Sequence, residues 1–325
     1  MRAVLVREPG GPEVLEVVDV EPPRPGPAEV LVEVAASGIN FMDVYMRAGI
    51  GAYARPTPFV LGSDGAGRII ELGEGVSDLH VGDRVAWKAG PGSFAERVVV
   101  AAAEAVPVPD GVSEEVAAAV MLQGLTAHYL CSSTCPVQQG DTVLVHAAAG
   151  GVGLLLTQMV GIRGGRTIGT VSTAEKEALA RRAGAAEVIR YDQRDVAPAV
   201  RDLTGGEGVA AAYDGVGRAT FDQSVASTRI RGTVVLFGGS SGQVPPFDLQ
   251  RLNAAGSLYV TRPTLVHYTR TREELLWRAG EIFDWIAAGR LDVHIGGRYL
   301  LEQAPAAFED LEGRRTVGKL LLLPR

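Results

Sequence analysis

The segment DTVLVHAAAGGVG, residues 141–153, constrains the fold of this chain more than any other stretch. An apolar run typical of a buried strand leads directly into three glycines, and the apolar segment after them is typical of a buried helix. Ala148–Gly153 follows the spacing G-x-G-x-x-G, with Ala148 at the first position. Bare backbone amides at such a turn can approach a phosphate, and the helix N-terminus adds positive potential. The pattern favours a dinucleotide site, with a sharp turn in an α/β domain that binds nothing as the alternative.

Strands and helices alternate along the chain after Asp141. The segments RTIGTVS, EVIRY, GVAAAYD and GTVVLFGG are typical of strands, and amphipathic or apolar helical segments separate them. This alternation predicts a parallel sheet with helices on both faces, the doubly wound Rossmann arrangement. Residues 1–110 contain short strand-like segments divided by Pro- and Gly-rich turns, which favours a small barrel or sandwich.

The residues that follow the second strand of this region indicate which dinucleotide is bound. NAD sites usually place an acidic residue about 20 residues after the glycine turn, and here that residue is Ser172. Lys176 follows on the next helix, and Tyr191 ends the next strand. A hydroxyl, an ammonium and a phenol suit a 2′-phosphate, so the sequence favours NADP(H). The alternatives are a solvated helix position for Lys176 and a half-buried strand end for Tyr191.

Composition excludes several other classes of protein. A length of 325 residues suggests two domains, and a net charge of −7 argues against general binding to nucleic acids or anionic membranes. No segment approaches the ~20 apolar residues that cross a bilayer, and the N-terminus does not look like a signal peptide. Two cysteines, Cys131 and Cys135, exclude a disulfide framework and favour a cytoplasmic location.

With these motifs in place, the chain resembles the zinc-independent quinone oxidoreductases, the zeta-crystallin group of the medium-chain dehydrogenases/reductases. The resemblance covers nearly the whole length and rests on GINFMDVYMRAG, FVLGSDGAG, VGDRVAW, GSFAERVVV, LQGLTAHYL, VLVHAAAGGVG, TVSTAEK, YDGVG and GSLYVTRPTL. It implies an α/β protein with a GroES-like β-barrel catalytic domain, residues 1–123 and 265–325. A Rossmann NADP(H)-binding domain, residues 124–264, is expected between these parts, and a homodimer is the common assembly.

The resemblance and the glycine turn together give a set of expected site residues. The expected cofactor contacts are Ala148, Gly150, Gly151, Val152, Gly153, Ser172, Lys176, Tyr191, Gly215, Phe237, Gly238, Ser240 and Arg314. The resemblance implies that Asn40, Asp43 and Tyr45 lie near the nicotinamide and that Thr126 contacts it. Tyr45 and Tyr53 are candidates to hydrogen-bond an acceptor oxygen or to supply a proton. Asp43 as a loop-holding residue and Tyr53 as a packed loop aromatic are equal alternatives.

The same resemblance implies that no metal takes part. Zinc-dependent relatives bear Cys at the position of Asn40, His at that of Ser63 and Cys near Gln123. Asn, Ser and Gln are poor zinc ligands beside thiolate or imidazole. We therefore expect catalysis in which NADPH carries the chemistry and the protein aligns it with the acceptor.

Three functions stay open from the sequence. The first is NADPH-dependent reduction of a small quinone, by hydride transfer or by stepwise electron transfer. The second is reduction of an activated alkene, an enone or a 2-enoyl thioester, with a tyrosine protonating the α-carbon. The third is a crystallin-like or RNA-binding role without relevant turnover, and the net charge argues against RNA.

Overall fold

The computed structural model describes residues 1–324, which divide into two compact units. Unit 1 contains Met1–Leu125, Arg270–Gly289 and Val293–Arg325, and unit 2 contains Thr126–Thr269 and Arg290–Asp292. No helix within residues 1–324 is both long enough and apolar enough to cross a membrane.

The elements are numbered in chain order. The strands within residues 1–324 are β1 (Arg2–Val6), β2 (Leu15–Asp19), β3 (Glu29–Ile39), β4 (Phe59–Val60), β5 (Asp64–Leu72), β6 (Arg84–Trp87), β7 (Arg97–Ala101), β8 (Val106–Pro107), β9 (Thr142–Val145), β10 (Arg166–Val171), β11 (Glu187–Arg190), β12 (Val209–Asp214), β13 (Thr228–Leu236), β14 (Tyr259–Thr261), β15 (Ile295–Leu300) and β16 (Lys319–Leu323). The α-helices in the same range are α1 (Phe41–Arg47), α2 (Glu114–Tyr129), α3 (Gly151–Ile162), α4 (Ala174–Arg182), α5 (Val196–Leu203), α6 (Phe221–Ser227), α7 (Gln250–Ala254), α8 (Arg272–Ala287) and α9 (Ala304–Glu312).

Unit 1 is built around the long strand β3. This strand pairs antiparallel with β5, β7 and β16, and the sheet runs in the order β15-β16-β3-β5-β6-β8. Residues Val30, Val32 and Val34 alternate along β3 and pack with Trp87 in one apolar core. The strand-rich N-terminal half predicted from short segments and turns is confirmed, and β16 joins the C-terminus of the chain to it.

Unit 2 contains a six-stranded sheet in which every pair is parallel. The strand order is β11-β10-β9-β12-β13-β14, so the chain starts in the middle and winds outward in both directions. Because all strands run the same way, the loops after β9, β10, β12 and β13 leave from one edge. The predicted Rossmann sheet is confirmed.

Two local features differ from the expected elements. The seven-residue helix α1 was not predicted; the Asp43 carboxylate starts it by accepting a bond from the Asn40 backbone N–H at 2.8 Å. Helix α2 continues beyond Tyr129 as a π-helical turn, Leu130–Thr134. There the Ser132 hydroxyl donates to the His128 carbonyl at 2.6 Å, so a side chain competes with the helical backbone bonds.

Candidate active site

The glycine turn of unit 2 leads from β9 into α3. Gly150 is the N-cap of α3, and a side chain on Gly153 would collide with the Ala147 carbonyl oxygen and lie 2.8 Å from the Ala148 Cα. The Ala148 N–H donates to the Thr170 carbonyl at 3.0 Å, which ties the turn to the end of β10. The turn packs so closely that only glycine fits at position 153, and its amides suit a phosphate group.

Of the three residues expected near a 2′-phosphate, Ser172 and Tyr191 follow the neighbouring strands β10 and β11, and Lys176 lies in the first turn of α4. Thr173 caps α4 by accepting a bond from the Lys176 N–H at 3.2 Å. The Tyr191 N–H donates to the Val171 carbonyl at 3.2 Å, and half of the Tyr191 side chain is exposed. The structure thus brings Ser172, Lys176 and Tyr191 to one edge of the sheet.

The expected cofactor residues after β12 and β13 pack directly on each other. A Cβ on Gly238 would lie 2.5 Å from the Gly215 carbonyl oxygen, and one on Gly215 would lie 2.8 Å from the Phe237 ring. The Ser240 N–H donates to the Gly215 carbonyl at 3.3 Å. These four residues form a single loop cluster at the same edge of the sheet as the glycine turn.

Asp214 shapes this loop cluster, and the sequence reasoning missed it. Its buried carboxylate accepts bonds from the N–H groups of Val216 and Gly217, both at 2.9 Å. The hydroxyls of Thr220 and Ser224 also donate to it, at 2.7 and 2.8 Å. An acidic residue at a strand end, with glycines and two hydroxyl residues shortly after it, was the available signal.

Unit 1 contains a group of buried polar residues that we call the polar cluster: Asn40, Asp43, Ser63, Asp64 and Lys319. Each of these side chains is at most 3% exposed. The Lys319 ammonium donates to Asn40 Oδ1 at 2.6 Å and to Asp64 Oδ2 at 3.2 Å. Asn40 Nδ2 donates to Asp64 Oδ1 at 2.8 Å, and the Ser63 hydroxyl donates to Asp43 Oδ1 at 2.8 Å. The cluster joins α1 to β3, β5 and β16.

Burial raises the pKa of both carboxyl groups of the polar cluster. It raises the pKa of Asp43 to about 7, with the nearby Asp64 charge as the second cause. The bonds from Ser63 and Asn40 and the Lys319 charge oppose that rise in pKa. Burial also raises the pKa of Asp64, and Lys319 opposes it there too. Near neutral pH the cluster therefore changes its charge at Asp43.

The remaining expected residues lie in three places. Tyr45 on α1 is half-buried, and its ring lies 5.4 Å, centroid to centroid, from that of Tyr53, which is 37% exposed. Thr126 is buried in α2 and belongs to unit 2. Arg314 lies on the exposed turn after α9 in unit 1. The structure brings Asn40 together with Asp43, and Tyr45 together with Tyr53.

The polar cluster does not fit a zinc ion. Asn40 Oδ1 and the Asp64 carboxylate both accept from the Lys319 ammonium, which supplies a positive charge from the chain itself. Gln123 Nε2 also donates to Asn40 Oδ1, at 3.4 Å, so this oxygen already accepts from two donors of the chain. Within residues 1–324 no three His, Cys, Asp or Glu side chains are grouped to hold a metal.

Two family models match this chain. Residues 26–110 match the alcohol dehydrogenase GroES-like domain, and residues 151–278 match the zinc-binding dehydrogenase model. Together with the parallel sheet and its glycine turn, these matches define a medium-chain dehydrogenase/reductase.

Individual relatives show which family of medium-chain dehydrogenases/reductases the chain belongs to. The chain is 46% identical to the quinone oxidoreductase of Pseudomonas aeruginosa over 317 residues, 97% of each protein. The structure of the Escherichia coli quinone oxidoreductase complexed with NADPH matches with a TM-score of 0.97 and 41% identity over 100% of both chains. The 2-haloacrylate reductase of a Burkholderia species is 37% identical over 329 residues, 99% of each protein. The chain belongs to the quinone oxidoreductase family.

The raised pKa of Asp43 predicts how stability depends on pH. The folded state keeps this proton up to about pH 7, whereas an ordinary Asp releases it near 3.8. Because the folded state binds more protons in this window, the free energy of unfolding falls as pH rises through it, by roughly 4 kcal/mol. We expect Asp43→Asn, which mimics the protonated form, to remove this fall in denaturant titrations between pH 4 and 8.

The control is Asp284→Asn, which changes an exposed carboxylate of α8 in the same unit. It is expected to keep the wild-type slope of stability against pH. The assignment fails when Asp43→Asn shows the same slope as the wild-type protein.

Proposed function

We propose that this chain reduces small quinones with NADPH as the electron donor, and that unit 2 holds the cofactor. The observation that carries the proposal is the meeting of the glycine turn with Ser172, Lys176 and Tyr191 at one edge of the parallel sheet. An Escherichia coli relative of the same fold, named quinone oxidoreductase, is complexed with NADPH, which supports the same conclusion. When bound, NADPH supplies the hydride that the acceptor receives.

Each loop of unit 2 has a separate role in this proposal. The backbone from Ala148 to Gly153 binds the diphosphate, because Gly153 lets α3 begin against the end of β9. The Lys176 ammonium and the hydroxyls of Ser172 and Tyr191 bind the 2′-phosphate. The loop cluster Gly215, Phe237, Gly238 and Ser240 lines the next part of the cofactor. By family resemblance, Thr126 contacts the nicotinamide, and Arg314 is a further cofactor contact.

Unit 1 supplies the residues for the acceptor. Asn40 and Asp43 are buried and bond to partners inside the polar cluster, so we assign them to holding α1 in place. Tyr45 on that helix and its neighbour Tyr53 retain exposed surface and carry phenolic hydroxyls. We assign these two tyrosines to hydrogen-bonding the acceptor oxygen and supplying its proton. No step requires a metal ion, since a quinone already accepts hydride readily.

An activated alkene is the second candidate acceptor. The 2-haloacrylate reductase relative, similar over nearly its whole length, bears a name that specifies such a substrate. As in quinone reduction, the protein must align the cofactor with the acceptor and supply a proton. In an alkene the hydride goes to one carbon and the proton to the neighbouring carbon. A tyrosine hydroxyl on α1 would then protonate carbon instead of oxygen.

We further propose that the chain forms a homodimer through β14. This strand pairs only with β13 within the described residues and forms the outer edge of the unit 2 sheet. Tyr259 and Val260 on it are 63% and 40% exposed, and an open edge with apolar residues is a site for adding a strand. A second copy related by a twofold axis would extend the sheet.

We infer a cytoplasmic location from the state of the cysteines. Cys131 is buried and Cys135 is half-buried, and both side chains are in the reduced, thiol form. A reducing compartment maintains that state.

The assignment of the 2′-phosphate site predicts a selective defect. The substitution Lys176→Ala removes a charged hydrogen bond to the 2′-phosphate. Such a bond contributes about 1.5–3 kcal/mol to the binding free energy, so NADPH affinity is expected to fall at least tenfold. NADH lacks the 2′-phosphate, and its affinity should stay within twofold. Calorimetric titration of both nucleotides measures the difference.

The control is Arg181→Ala, which removes a cation from the same helix. The Arg181 guanidinium pairs with the Glu177 carboxylate at 2.9 Å. This variant is expected to change neither affinity by more than twofold. Equal losses of NADPH and NADH affinity in Lys176→Ala would contradict the assignment.

The acceptor assignment is tested with a panel of substrates. We expect NADPH oxidation with 1,4-benzoquinone and 1,4-naphthoquinone to exceed that with 2-chloroacrylate or an enoyl-CoA in kcat/KM. Tyr45→Phe is expected to lower kcat for the preferred acceptor by about 100-fold, the usual scale of a lost proton donor.

Tyr299→Phe is the matched control, because it removes a phenol bonded to Asp310 elsewhere in unit 1. It should leave kcat within twofold. A higher kcat/KM for 2-chloroacrylate than for every quinone would instead establish the second candidate function.

A further inference from the structure

The Lys319 side chain ends inside the polar cluster and not in solvent. Lysine is among the residues least often buried, and here the side chain is 2% exposed. It fits because β3 carries a glycine where the Lys319 side chain ends: a Cβ on Gly38 would collide with both Cε and Nζ of Lys319. The same Cβ would lie 2.7 Å from Asp64 Oδ1. Gly38 thus leaves the space in which the ammonium meets its partners.

The ammonium determines how the Asn40 amide is oriented. Lys319 donates to Asn40 Oδ1 at 2.6 Å, which leaves the Asn40 NH₂ group to donate to Asp64 Oδ1 at 2.8 Å and the Gly38 carbonyl at 3.2 Å. Without Lys319, Asn40 Oδ1 would keep only the weaker bond from Gln123 Nε2, at 3.4 Å. The amide would then lose the contact that defines which way it faces.

Asn40 is also the N-cap of α1, and its amide contacts that helix through Asp43. Asp43 Oδ2 accepts from Asn40 Nδ2 at 3.4 Å and from the Asn40 backbone N–H at 2.8 Å. The Asp43 N–H donates back to the Asn40 carbonyl at 3.0 Å. Tyr45 lies two residues after Asp43 on the same short helix, with its ring beside that of Tyr53. A change at the cap therefore moves the side chain assigned to the acceptor.

We propose that Lys319 is a positioning residue of the reduction: its ammonium, held between Asn40 and Asp64, fixes the cap of α1 and thereby the placement of Tyr45. The inference rests on the proposed role of Tyr45 in the acceptor site. The family resemblance implies that the position of Asn40 is a metal ligand in zinc-dependent relatives; in this chain an ammonium from β16 holds that side chain.

Lys319 also affects the protonation of Asp43. The charged groups that act on this carboxyl are Asp64 on β5, which raises its pKa, and Lys319 on β16, which lowers it. The Ser63 hydroxyl and the Asn40 N–H lower it as well. Removing the ammonium therefore changes the set of charges that acts on Asp43, which gives a readout besides activity.

The test compares Lys319→Met with Lys88→Met. Lys88 is the matched control, because it is 5% exposed, pairs with Glu104 at 2.7 Å and lies in the same unit. Both variants are expected to lower the melting temperature. Lys319→Met should also lower kcat for 1,4-naphthoquinone at least tenfold, keep the NADPH dissociation constant within twofold and shift the pH range over which stability changes through Asp43. Lys88→Met should keep kcat within twofold and leave that pH range unchanged.

The inference is overturned when folded Lys319→Met keeps kcat within twofold, or when Lys88→Met loses as much activity. Should Lys319→Met fail to fold, Gly38→Ala replaces it, since this change keeps every charge and displaces the ammonium. A tenfold loss of kcat is expected there, and an unchanged kcat contradicts the inference.

A double-mutant cycle with Tyr45→Phe separates this inference from the proposed function. If Lys319 acts through Tyr45, the two losses do not add, and Lys319→Met lowers kcat by less than twofold in the Tyr45→Phe background. Additive losses overturn the positioning role while leaving Tyr45 in the acceptor site. An unimpaired Tyr45→Phe variant overturns the proposed role of Tyr45 itself, together with the inference built on it.

Discussion

The contact between the Lys319 ammonium, Asn40 and Asp64 is the interaction on which the arrangement of unit 1 depends. Two carboxyl groups, on Asp43 and Asp64, lie fully buried within this unit, and burying such charges is costly unless a partner is present. Lys319 supplies that partner to Asp64 from β16, in the space that Gly38 leaves, while Asp43 keeps its proton up to about pH 7. The same ammonium contacts Asn40 at the cap of the helix that carries Tyr45. With the role proposed for Tyr45, charge balance and acceptor placement share one structural origin.

The two units divide the chemical work in a way that follows from their architecture. In unit 2 the parallel sheet sends its loops to one edge, and Gly153, Gly215 and Gly238 allow backbone segments to approach where side chains would collide. Asp214 keeps one of these loops in shape through buried hydrogen bonds. Unit 1 instead uses side chains, with a buried polar cluster that supports two neighbouring tyrosines. A bound cofactor supplies the hydride, so the chain itself needs to align the acceptor with the cofactor and to supply the acceptor with a proton.

Local patterns in the sequence predicted the Rossmann sheet, the glycine turn and a small barrel or sandwich over residues 1–110, because each has a short signature of its own. The GroES-like assignment came from the family resemblance. Asn40, Asp43 and Tyr45 were expected only through family resemblance. Lys319 and Asp64 were missed, because the bonds of Lys319 to Asn40 and Asp64 span 279 and 255 residues. Such contacts depend on the pairing of β16 with β3, which no local pattern encodes. Helix α1 was missed because its capping signal, Asn40 followed by Asp43, spans four residues within a very short helix.

The Lys319 ammonium provides a positive charge beside Asn40, the position that family resemblance implies is a metal ligand in zinc-dependent relatives. The most direct test is the metal content of the purified, active protein, measured together with its quinone reductase activity before and after exhaustive chelation. We expect zinc far below one ion per chain and an activity that chelation does not change. One tightly held zinc per chain, whose removal abolishes activity and whose return restores it, would show that the ammonium does not take the place of a metal.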